Sequence, residues 1–170
     1  MTDTAERLEG WVRQHQPVVY RAAWLILRDE AAAEDVAQET FIRAYRNAHR
    51  LEPDADARPW LYRIAVNLAL NRIRSRRRED RAVTRLGPGA TLWEDAASER
   101  GAGDDSVAEA LRRLPDRLRV PVILRYYLDL SEKDIAKALG VRPGTTKSRL
   151  HEARRLLAAD QSIAAAAGKG

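Results

Sequence analysis

The chain has 170 residues, with 30 lysines and arginines against 25 aspartates and glutamates, a net charge of +5 and a pI near 9.9. A basic balance of this kind favours polyanionic partners such as nucleic acid and leaves the fold open. The lack of cysteine excludes disulfides, thiolate metal sites and a cysteine nucleophile, and His15, His49 and His151 are too far apart in sequence for a metal-ligand spacing.

The opening residues, MTDTAERLEG, lack the basic start and apolar run of a signal peptide. No apolar stretch nears the ~20 residues that span a bilayer, so a soluble, cytoplasmic protein is expected. Alanine, leucine, arginine and glutamate dominate, β-branched alternation is scarce, and the expected fold class is all-α. A first helical stretch runs from Leu8 to Leu27, with Leu8, Trp11 and Val12 as one apolar group and Val19, Ala22, Ala23 and Ile26 as another. Pro17 between them is expected to kink or restart the helix. Asp29 can cap a second helix through Val36, Ala37, Phe41 and Ala44. Two prolines mark Leu51 to Pro59 as a loop. Trp60 then opens a third helix with Leu61, Ile64, Ala65 and Leu68 in one stripe.

On the opposite side of that third helix stand Arg63, Asn67, Asn71, Arg74 and Arg78. The two asparagines lie a turn apart on one face, and an amide offers both a donor and an acceptor to a base edge. Arginines at 72, 74, 76, 77, 78 and 81 form a basic end suited to phosphates. Trp24 and Trp60 are expected in the core rather than as stacking platforms. From Gly87 the composition turns to glycine, alanine and acidic residues without a helical stripe, and residues 83–106 read as an acidic flexible linker.

Helix resumes near Val107, where Leu111, Leu114, Leu118, Val122 and Ile123 supply an apolar side around Pro115 and Pro121. Ser131 and Asp134 have capping-box spacing. Ile135, Ala136 and Leu139 form a short apolar face, Gly140 can end the helix in the left-handed conformation, and Pro143 suits the first turn of the next. Thr146, Leu150, Ala153 and Leu157 recur on one side of that next helix. Short helix, glycine turn and polar second helix make a helix-turn-helix, which sets residues 107–163 apart as a second small domain before a tail at 164–170. Its outward side carries Thr145, Ser148, His151, Glu152 and Arg155, flanked by Lys147, Arg149 and Arg154. Lys147, Ser148 and His151 are the candidates for base edges; Thr145, Arg149, Arg154 and Arg155 are the candidates for phosphates. This motif alone does not separate a sigma factor from a response-regulator output domain.

Three strings in one chain narrow the choice: 33–45 (AEDVAQETFIRAY), 59–67 (PWLYRIAVN) and the block 111–157, with Leu114-Pro115, Tyr126 and GTTKSRL at 144–150. Together they resemble the extracytoplasmic-function (group IV) sigma factors, the smallest members of the sigma-70 family. The resemblance implies that residues 1–82 are a region 2 domain that binds and helps open the −10 promoter element, and that 107–163 are a region 4 domain that reads the −35 element. It implies that Asp35, Gln38, Glu39 and Arg43 dock on the β′ clamp helices of core RNA polymerase, that region 4 meets the β flap, and that the loop Leu51 to Pro59 captures a flipped −10 base. Asn67 and Asn71 match positions of −10 recognition, although many members carry aspartate at the second. Where this chain has Thr146, members often have an apolar residue. The acidic linker resembles the segment threaded through the RNA exit path.

Core polymerase and promoter DNA are the implied partners. An anti-sigma factor is common in that family, but no motif here specifies one. A conventional helix-turn-helix regulator on a palindromic operator and a polymerase-binding adaptor are weaker readings. An enzyme is the weakest: no Ser-His-Asp constellation, phosphate loop or metal spacing is visible, so no catalytic residue, metal or cofactor is expected.

Overall fold

The computed structural model describes residues 2–83 and 106–160. These residues are helical and turn structure with no strand, and they belong to two compact units, Met1–Val83 and Thr84–Gly170. The expected linker falls almost wholly, and the tail wholly, outside the described residues.

The first unit is three helices, α1 (Thr2–Leu27), α2 (Glu30–Asn47) and α3 (Arg58–Val83), each packed on the other two. Of the two effects expected of Pro17, a restart does not occur: α1 runs as one helix through it. The proline removes one bond to the carbonyl of Arg13, but both residues face solvent, where water can serve that carbonyl. The helix ends at Arg28, in the left-handed region at φ 56°, and Asp29 caps α2 by accepting the N–H of Ala32 at 2.9 Å. Small residues on α2 (Ala33, Ala37 and Ala44, all buried) let the neighbouring backbones come close around Val19, Phe41, Leu61 and Ala65. A short 3-10 turn (Ala48–Arg50) leads into the loop. The third helix starts two residues before Trp60, with Pro59 in its first turn. Trp60 is half-buried against the core and meets Trp11 edge to face at 5.8 Å, so its ring serves packing.

His15 is 4 % exposed on α1, and its ring stands edge-on to Tyr62 at 6.3 Å. Burial pushes its pKa below the ordinary 6.5, against an upward pull from Asp56 and with a further downward push from Arg58. The unfolded chain therefore takes up a proton near pH 6.5 that the folded unit resists. This contribution to stability is complete above that pH and is lost as the pH falls towards the folded value. Asp56, whose carboxyl Arg58 holds below its usual range, stays ionised in this window. Melting of the full chain between about pH 7.5 and 5.5 should show the first unit weakening on acidification, and His15→Phe should flatten that dependence. An unchanged slope in the variant would assign the acid sensitivity elsewhere.

The second unit comprises α4 (Ser106–Arg113), α5 (Asp116–Val122), a π-helical turn (Ile123–Tyr127), α6 (Glu132–Leu139) and α7 (Pro143–Ala159). All five apolar residues expected to face inward (Leu111, Leu114, Leu118, Val122, Ile123) are buried, joined by Leu124, Leu128, Ile135, Leu150 and Ala153. Pro115 caps α5, and Pro121 lies buried in its last turn. The chain widens just after it, Leu128 bonding back five residues to the carbonyl of Ile123.

Candidate nucleic-acid interface

Each unit presents one polar helix face. On α3, burial of Leu61, Ala65, Val66, Ala69, Leu70 and Ile73 turns the opposite side outward. Arg63, Asn67, Asn71, Arg74 and Arg78 are all exposed there, in a row along the helix. The Oδ1 of Asn71 accepts from Arg74 at 3.1 Å, which fixes the amide and directs its NH2 group away as a donor. Arg78 donates to the Ser75 hydroxyl at 3.1 Å.

The basic end of α3 divides in a way that its composition did not indicate. Arg76 turns inward, donating to the Leu27 carbonyl at 3.3 Å and the Asp29 carboxylate at 2.7 Å. It thereby closes the end of α1 and grips the cap of α2, with its cation where helix carbonyls point. Arg72 pairs with Asp35 of α2 at 3.2 Å. Both arginines bridge helices of the first unit.

On α2 the burial of Val36, Ala37, Thr40, Phe41 and Ala44 leaves Asp35, Gln38 and Arg43 exposed and Glu39 half-exposed. Glu39 and Arg43 pair along the helix at 2.6 Å. Sequence reasoning missed two members of this face, Ile42 (44 % exposed) and Tyr45 (50 %). Their signal was present: both fall off the buried stripe of α2, three residues apart on one side of the helix.

In the second unit the helix-turn-helix forms as its capping chemistry dictates. The Ser131 hydroxyl accepts the Asp134 N–H at 3.1 Å and donates to its carboxylate at 2.7 Å. Gly140 closes α6 at φ 66°, and Val141 bonds back to the carbonyl of Ala136 at 3.0 Å. Pro143 opens α7, seating Thr146, Leu150 and Ala153 in the core. Lys147, Ser148, His151, Arg154 and Arg155 are exposed; Thr145 and Arg149 are half-buried. Glu152 leaves the outward group. Its carboxylate is forked by Arg117 of α5 at 2.8 and 2.9 Å, which also holds it below the usual carboxylate range. The pair ties α7 to α5 and neutralises that carboxylate.

Thr146 is fully buried, and its hydroxyl has no hydrogen-bond partner among the described residues. An unbonded buried hydroxyl is costly, and valine keeps the shape without it. Thr146→Val should stabilise the second unit by about 1 kcal/mol, read as slower native-state hydrogen exchange of amides in 106–160 of the full chain. Faster exchange would mean that the hydroxyl is satisfied in solution.

Among the described residues no cluster of His, Asp or Glu could hold a metal, and no helix is long and apolar enough to cross a membrane.

Comparison with known proteins agrees with this division. The sigma-70 region 2 model matches residues 11–79, and the sigma-70 region 4 model matches 104–157. The chain is 32% identical over 151 residues to the ECF RNA polymerase sigma factor SigW of Bacillus subtilis, covering 82% of this chain and 80% of that protein. To the ECF RNA polymerase sigma factor SigL of Mycobacterium tuberculosis it is 35% identical over 147 residues, covering 85% and 82%. Among solved structures, the sigma factor RpoE of Bartonella quintana, crystallised with the anti-sigma factor NepR, shares the fold. It has a TM-score of 0.64 and 24% identity over 89% of this chain and 94% of that one. CnrH, solved with the cytosolic domain of CnrY, gives a TM-score of 0.57 at 24% identity, covering 93% and 91%.

Proposed function

This chain belongs to the ECF RNA polymerase sigma factors of the sigma-70 family, and from that premise we propose that it is a group IV member that brings core polymerase to its promoters in the cytoplasm. Residues 1–82 act as region 2, 83–106 as the acidic linker and 107–163 as region 4, with 164–170 a tail. The observation that carries the reading is the exposed row Arg63, Asn67, Asn71, Arg74 and Arg78 on α3. A row of amides between cations suits a single strand whose bases are read and whose phosphates are neutralised.

The division of labour follows from chemistry. The first turns of α7 enter the major groove of the −35 duplex, where Lys147, Ser148 and His151 meet base edges and Thr145, Arg149, Arg154 and Arg155 hold phosphates. The α3 row holds the opened −10 strand, offsetting an unstacking cost of a few kcal/mol per extruded base. Asp35, Gln38, Glu39 and Arg43, with Ile42 and Tyr45, dock on the β′ clamp helices, and region 4 meets the β flap. The chain supplies no bond-making group: polymerisation belongs to core, which makes this a DNA-binding regulator rather than an enzyme. An anti-sigma factor that occludes these faces fits the same surfaces.

Run-off transcription with core polymerase and the promoter upstream of the protein's own operon tests the proposal. Transcript that depends on the added chain, and that declines steeply with salt, is the expected result. Failure to bind core, or a palindromic operator bound tightly without it, would end the sigma reading.

A further inference from the structure

The loop between the 3-10 turn and α3 is held from α1. Residues 52–56 are exposed, while Leu51 is half-buried on the core and Ala57 is buried. Across 44 and 45 residues of sequence, the Arg7 guanidinium donates to the backbone carbonyls of Leu51 at 3.4 Å and Glu52 at 3.3 Å. The same guanidinium lies 5.2 Å over the ring of Trp11, one turn further along α1. Trp11 in turn stands edge to face with Trp60 at the start of α3. At the loop's other end the Asp56 carboxylate accepts the Arg58 N–H at 3.0 Å and forks its guanidinium, with contacts down to 2.7 Å. Both ends of the loop are thus anchored, and its tip, Pro53-Asp54-Ala55, is presented to solvent.

We propose that Arg7, seated on Trp11, is a positioning residue for −10 recognition: it holds the backbone at 51–52 in the shape that receives an extruded base. The inference rests on the reading of this loop as the base-capturing loop. A receiving loop that is already ordered does not lose its backbone freedom at the moment of capture, which favours binding. Arg7 suits that task because its guanidinium addresses two successive carbonyls while its charge lies over an aromatic ring. It touches the DNA-binding machinery through the main chain only, so its effect is confined to what the loop reads.

The test uses the full chain with core polymerase and a set of promoters carrying each base in turn at every −10 position. Replacing Pro53, Asp54 and Ala55 together by Gly-Ser-Gly identifies the position that the loop reads. Arg7→Ala should narrow base discrimination at that one position by about tenfold (a difference of about 1.4 kcal/mol). Discrimination at the other positions and affinity for core should stay as in the unaltered chain. Arg7→Lys, which keeps a charged donor but loses the fork that reaches both carbonyls, should recover part of the preference. Two outcomes overturn the proposal: unchanged discrimination in Arg7→Ala, or an equal loss at all positions or of core binding in both Arg7 variants, which makes Arg7 a structural residue only. If the Gly-Ser-Gly loop itself changes nothing, the base-capture reading fails first and takes the role of Arg7 with it.

Discussion

Replacing Asn67 and Asn71 together by alanine is expected to reduce promoter-dependent transcription by at least about 30-fold while leaving affinity for core polymerase unchanged, since well-placed amide contacts to bases contribute about 1–3 kcal/mol each. Both side chains are exposed on α3, away from its packed face, and alanine is the better helix former, so the change removes reading groups without disturbing the fold. Substitution of Arg78 should act differently. It should weaken binding to all sequences alike and lower the salt slope by about one, as loss of a phosphate contact does. The two asparagines are not equivalent. Arg74 occupies the Oδ1 of Asn71, which leaves its NH2 group as the outward donor. Asn71→Asp keeps the pairing with Arg74 but turns the outward group into an acceptor, and base preference at one −10 position should move rather than vanish. Run-off transcription and core-binding titrations measure all of these. Wild-type promoter selectivity in the double alanine variant would remove the α3 row from the recognition surface.

The largest loss of stability from a single polar change should come from Asp116→Ala, about 3 kcal/mol in the second unit, the lower end of what breaking a buried ion pair costs. Arg119 is 2 % exposed inside the core, its guanidinium donating to the Leu114 carbonyl at 3.0 Å and pairing with the Asp116 carboxylate one turn back. Without the carboxylate that cation remains buried, with much of its compensation gone. Arg119→Met removes the charge and keeps an unbranched stem of similar length, so it should cost about 1 kcal/mol or less. Asp116→Ala combined with Arg119→Met should therefore be more stable than Asp116→Ala alone. Native-state hydrogen exchange of amides in 106–160 of the full chain decides the order, and a larger loss from Arg119→Met than from Asp116→Ala would reverse the account. The pair lies in the layer against which α7 packs, so its loss should also reduce −35 binding without altering any residue on the reading face.

The sequence by itself determined the features whose causes are local. A capping serine, a glycine free to turn left-handed and a proline fitted to a first turn act on their own few residues, and Ser131, Gly140 and Pro143 bound the helix-turn-helix where they stand in the chain. Apolar periodicity is equally local, which is why the outward rows of α3 and α7 were readable before any coordinates. Whether Pro17 restarts the helix depends on whether the carbonyl that it strands faces water, and only packing decides that. Tertiary structure alone decided which cations are paired within the protein. Arg76 reaches Asp29 across 47 residues, Arg72 reaches Asp35 across 37, Arg117 takes Glu152 across 35, and Arg7 reaches the loop across 44. No periodicity or motif encodes such pairings, because a charge's partner is set by where the folded backbone brings it.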